Sequence, residues 1–75
     1  MRLNNAIEFG KLIRTARKKS KLTQTDLAAA CGIGERFIRE LEKGKPSCQI
    51  EKALWVAQML GIKFEATLPP AVDED

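Results

Sequence analysis

Arginine and lysine dominate the side chains here that could do chemistry, and what they offer is recognition of an anion. Residues 1–21 carry Arg2, Lys11, Arg14, Arg17, Lys18, Lys19 and Lys21 against Glu8 alone. Residues 22–62 balance, and residues 63–75 carry Lys63 against Glu65, Asp73, Glu74 and Asp75. The formal net charge of +3 therefore hides a basic front and an acidic end, which implies an anionic partner for the front. Other chemistry lacks its parts. The sequence has no histidine, so the commonest general base and the commonest metal ligand are both missing. Cys31 and Cys48 have no CxxC spacing and are too few for a disulfide framework. They read as small hydrophobes in a reducing compartment. Ser20, Thr23 and Ser47 read as caps or loop residues, since no base stands ready to activate a nucleophile. No enzyme, metal site or cofactor is expected.

The charged side chains must be positioned by a small fold. With 75 residues the chain holds one domain, expected over 1–68, followed by an acidic flexible tail over 69–75. No apolar run approaches the ~18 residues of a membrane span. The start, MRLNNAIEFG, lacks the apolar region of a signal peptide, so no membrane partner and a cytoplasmic location are expected. Phe9, Ile13 and Ala16 recur at helical spacing and predict a first helix from about Asn5 to Ser20. Thr23 is a good N-cap for a second helix, Gln24 to about Cys31, with Leu27, Ala28 and Cys31 inward and Gly32 as its stop. Gly34 opens a third helix, about Glu35 to Lys43, with Phe37, Ile38 and Leu41 apolar. Gly44 closes it, and Lys45-Pro46 enforces a turn. A fourth helix starts between Ser47 and Ile50 and ends at Leu60, with Ile50, Ala53, Leu54, Ala57 and Leu60 as its apolar stripe. Beyond Gly61 the period changes to two: Ile62, Phe64, Ala66 and Leu68 alternate with Lys63, Glu65 and Thr67, as in a strand.

Helices two and three, joined by Cys31-Gly32-Ile33-Gly34, form a helix-turn-helix pattern. Ala28 is small where the helices cross, Gly32 supplies the turn, and Leu27, Ile33, Ile38 and Leu41 give the core between them. The stretch LTQTDLAAACGIGERFIRELEKGKPS resembles the xenobiotic-response-element (Cro/CI-like) helix-turn-helix family, which includes lambdoid phage repressors. Gly10-x-x-Ile13-Arg14-x-x-Arg17 before it and Leu54-x-x-Ala57-x-x-Leu60-Gly61 after it match as well, so the resemblance covers roughly residues 8–62. ELEKGKPSCQIEKAL and the terminal strand resemble HipB-type antitoxins more narrowly, whereas ordinary members tend to carry a fifth helix there.

The resemblance implies a docking geometry. The helix from Glu35 would lie in the major groove. Gly34, Glu35, Arg36, Arg39 and Glu40 would then face base edges, with arginine donating to guanine and glutamate accepting from cytosine. Gln24, Lys43 and Lys45 would hold phosphates. Arg17 and Glu42 match positions that form a structural ion pair between helices one and three in phage repressors.

A lone strand leaves backbone groups unpaired. Residues 62–68 are therefore expected to pair with their copy across a two-fold axis, with Trp55, Met59, Ile62, Phe64, Ala66 and Leu68 at the dimer interface. The expected fold is all-α: a four-helix lambda-repressor-like domain with one C-terminal β-strand forming an intersubunit sheet. The expected function is a dimeric transcriptional repressor that reads a palindromic operator in double-stranded DNA, in a bacterial cytoplasm and at the nucleoid. Its sharper form is a HipB-like antitoxin that binds a HipA-like serine/threonine kinase toxin and autoregulates its operon. Two alternatives stay open: a stand-alone phage or restriction-control regulator without a toxin partner, and a protein-interaction adaptor with a helix-turn-helix shape.

Overall fold

Asn5 opens the first helix by accepting, through its side-chain oxygen, from the Glu8 N–H at 2.9 Å. The helix α1 then runs Ala6–Lys19 in the computed structural model of the chain, which describes residues 4–70. Arg2 and residues 71–75 of the expected tail lie outside the described residues. α2 (Gln24–Cys31) starts on a reciprocal cap. Thr23 Oγ1 accepts from Asp26 N–H, and the Asp26 carboxylate accepts from Thr23 N–H, each at 3.0 Å. The Thr23 backbone N–H, and after it the Thr23 hydroxyl, hold the Asp26 carboxyl below its ordinary value. The carboxylate half of the cap is therefore present at neutral pH and is lost as acid protonates the group. Gly32 ends α2 at φ 67°, a left-handed conformation that a side chain would strain. α3 (Glu35–Lys43) follows at once, and α4 (Ile50–Met59) comes after the Lys45-Pro46 turn.

α1 and α2 both pack on α3, and α4 packs on α2. The centre is Ile13, Leu27, Ile38 and Val56, one from each helix and each fully buried. Removing each of these aliphatic side chains from water stabilises the fold by roughly 1.5–3 kcal/mol. Leu41, Ala28, Cys31, Ala53 and Ala57 complete the core. Burial pushes the Cys31 thiol up from its ordinary value, because a thiolate there would lose its solvation.

Two expectations are corrected. The buried side of α4 is Ala53, Val56 and Ala57, while Ile50 is 73% and Leu54 46% exposed. The packing of α4 on α2 selects Ala53, Val56 and Ala57, and leaves Ile50 and Leu54 on the wall of an open groove shared with Phe9 of α1 and Pro46. The C-terminal strand is not formed either, so the expected intersubunit sheet has no strand to build on. Residues 62–69 have no regular secondary structure, and no strand is present among the described residues. A ladder needs a second strand, and the described residues offer none. The segment leans on α1 instead: the Phe64 ring stacks on Phe9, centroids 5.8 Å apart and planes inclined by 13°.

No helix of the described residues is long and apolar enough to cross a membrane.

Candidate nucleic-acid interface

Gly34 caps α3 without a side chain, so the first turn of the helix is bare of any group that would stand in front of it. On that turn and the next, Glu35 and Glu40 are half-buried and Arg36 and Arg39 exposed. They pair along the helix at i, i+4 spacing. Arg39 Nη1 lies 3.3 Å from Glu35 Oε2, and Arg36 Nε 3.5 Å from Glu40 Oε2. Lys45, beyond the helix end, reaches back to Glu40 Oε2 at 3.3 Å. The hydrogen bond from Lys45, with the Arg36 charge behind it, holds the Glu40 carboxyl below its ordinary value. Lys43 is exposed. The pattern is one of donors and acceptors in alternation on a solvent-facing helix. Taken one at a time, such exposed pairs add little to stability.

Arg17 and Glu42 meet in the interior behind this face. Arg17 Nε donates to Glu42 Oε2 at 2.6 Å and Nη2 donates to Oε1 at 3.0 Å. Arg17 Nη1 donates to the Leu22 carbonyl at 2.9 Å. The carboxylate raises the guanidinium above its already high ordinary value. Gln24, expected at a phosphate, stands at the first position of α2, where the helix N-terminus favours an anion. Its side-chain amide, however, donates to Glu42 Oε1 at 3.1 Å. Gln24 is thus the third donor to the buried carboxylate, and this ties the start of α2 to the end of α3.

Thr25 is the residue that sequence reasoning passes over. Its hydroxyl donates to Glu35 Oε1 across the α2–α3 gap. No spacing signal marks it, because residues ten apart meet only when the two helices fold onto each other.

The residues expected at a dimer interface are largely on the surface. Trp55 is 41%, Met59 43%, Phe64 44% and Leu68 61% exposed; Ala66 is exposed and Ile62 half-buried. Trp55 has an internal role too, since Nε1 donates to the Cys31 carbonyl at 3.0 Å. That bond satisfies an orphan carbonyl at the end of α2 and fastens α4 to it.

This arrangement resembles known proteins in sequence and in shape. A helix-turn-helix family model matches residues 13–66. The chain is 43% identical over 68 residues to an uncharacterised HTH-type transcriptional regulator, y4mF, of Sinorhizobium fredii (strain NBRC 101917 / NGR234), covering 91% of this chain and 90% of that protein. A solved structure named MDT Protein superposes with a TM-score of 0.78 at 19% identity, covering 96% of this chain and 99% of the other. At that identity the likeness is one of fold.

Proposed function

The chain belongs to the helix-turn-helix family, and on that premise we propose that it is a DNA-binding transcriptional regulator whose α3 reads base edges in the major groove. The observation that carries this reading is the first half of α3, where Glu35, Arg36, Arg39 and Glu40 gather behind the bare Gly34. An arginine fork fits guanine O6 and N7, and a carboxylate accepts from cytosine N4. Lys43 in the last turn of α3 and Lys45 beyond it hold phosphates in this reading, as does Gln24 at the start of α2 through the amide proton not given to Glu42. The exposed lysines and arginines of α1 add attraction toward DNA without reading it.

Selection of bound duplexes from a random pool tests the reading. The chain is expected to enrich one sequence, and enrichment of none overturns the proposal. On the enriched duplex, Arg36→Ala is expected to lose about 1–3 kcal/mol of discrimination at one base pair. An equal loss on every duplex would make Arg36 a phosphate ligand instead.

In the same reading residues 1–68 act as one DNA-binding and dimerisation unit. Trp55, Met59, Ile62, Phe64, Ala66 and Leu68 supply the interface. Their exposure as single-chain surface supports it, since a two-fold copy would cover these apolar side chains. Two copies of α3 would then stand ~34 Å apart and read a palindrome. Footprinting is expected to give two inverted half-sites at that spacing; a single asymmetric site overturns the dimer. The narrower proposal is a HipB-like antitoxin that represses its own operon and binds a HipA-like serine/threonine kinase. It is supported by the resemblance carried by ELEKGKPSCQIEKAL. Co-purification with a kinase encoded beside it tests that step, and a neighbourhood without one favours a stand-alone regulator. A cytoplasmic, nucleoid-associated location goes with either form.

A further inference from the structure

Glu35 is held from two sides. Its Oε1 accepts from the Thr25 hydroxyl of α2, and its Oε2 accepts from Arg39 Nη1, one turn further along α3, at 3.3 Å. A long side chain on a helix surface samples several rotamers, and each must be given up when it meets a ligand. A tie to a second helix removes that freedom beforehand. Arg36, the other arginine of the turn, has no such support. Its side chain is 81% exposed and its nearest carboxylate is 3.5 Å away, whereas the Arg39 side chain is 47% exposed.

The chemistry of the three groups fits a relay. The threonine hydroxyl is donor and acceptor, the carboxylate is acceptor only, and the guanidinium is a rigid planar fork of donors. With one Nη1 proton given to Glu35, Arg39 keeps its Nη2 protons and the second Nη1 proton, enough for a bidentate acceptor such as guanine O6 and N7. The charge-assisted bond to Glu35 restricts the plane of the fork. Both oxygens of Glu35 are meanwhile engaged within the protein.

We propose that Thr25 is a positioning residue for base recognition: through Glu35 it fixes the guanidinium of Arg39, which reads a guanine. This rests on the DNA-binding reading above, and it makes Glu35 the support of the reading arginine and not itself a reader of cytosine.

The test compares the wild-type chain with T25V, T25S and R39A. Thr25→Val keeps the branched shape and removes the donor; Thr25→Ser keeps the donor. The probes are the duplex that the wild-type chain enriches from a random pool and its single-base-pair variants. R39A is expected to lose discrimination at one guanine position. T25V is expected to lose about fivefold or more at that same position, with T25S close to wild type. Affinity for unselected DNA, salt dependence and melting temperature are expected to stay unchanged in T25V. The relay is overturned if T25V discriminates as the wild type does, if it loses discrimination at a different base pair from R39A, or if it weakens all duplexes alike with a lowered melting temperature. A wild-type chain that enriches no sequence overturns the DNA-binding reading and the relay together. One that enriches a sequence on which R39A has no base-specific effect overturns the relay alone.

Discussion

Replacing Glu42 with alanine is expected to destabilise the fold by about 3–5 kcal/mol, the cost of leaving a buried charge without its partner. The Arg17 and Glu42 side chains are 10% and 4% exposed, so water does little to replace the lost carboxylate. The guanidinium would keep only the Leu22 carbonyl, and the Gln24 amide would lose its acceptor. A domain of 75 residues has a total stability of about 4–11 kcal/mol on the usual per-residue scale. The variant therefore sits near the point where much of the population is unfolded. Urea unfolding followed by helix signal measures this, with a lower midpoint and an unchanged slope as the expected result. The double variant Arg17→Met with Glu42→Leu separates two causes. Matched apolar side chains remove both charges together, and most of the stability should return. A loss below ~1 kcal/mol for Glu42→Ala would mean that the pair is screened as a surface pair is.

The second large effect is expected at Gly10. This glycine lies in α1 where the helix meets the end of α3. A Cβ there would collide with the Leu41 carbonyl oxygen and stand 2.8 Å from that of Glu42. Both are backbone atoms and have no rotamer to escape into. Gly10→Ala therefore forces α1 away from α3 by on the order of 1 Å, against a tightly packed interior. Alanine favours a helix over glycine by about 1 kcal/mol, and propensity alone would make the variant more stable. The clash outweighs this, and a net loss of about 2 kcal/mol or more is expected. Thermal unfolding decides the sign. A variant as stable as the wild type would show that the helices do not approach so closely. The same displacement would stretch the Arg17–Glu42 bond, so the losses at Gly10 and Glu42 should not add.

Most of the helical framework is legible in the order of residues alone. Asn5 stands just before an apolar period, Thr23 stands three before Asp26, and Gly32 and Gly44 follow the last apolar residues of their helices. These are signals between residues three or four apart, and the helix itself sets that spacing. The proposed recognition turn is legible for the same reason, since Gly34 to Glu40 is one continuous stretch of chain. The meeting of Arg17 with Glu42 follows from resemblance and not from spacing, because the two residues lie on different helices. α4 is the least legible. Ile50 and Leu54 share its apolar period with Ala53 and Ala57, and periodicity cannot say which part of a wide stripe meets a neighbour. The crossing of α4 on α2 buries Val56 in their place.

By itself, then, the sequence determined the four helices, their ends and the charge of each region, including the charged first half of α3. Each of these depends on interactions within a few residues or on composition. Only the tertiary structure decided that the Gln24 amide donates to Glu42, that Thr25 holds Glu35, that Trp55 ties α4 to Cys31, and that Phe64 rests on Phe9 in place of a strand. Each of those joins residues from different elements. Whether they meet depends on the crossing of one helix over another, a property of packing in three dimensions that the order of residues along the chain does not contain.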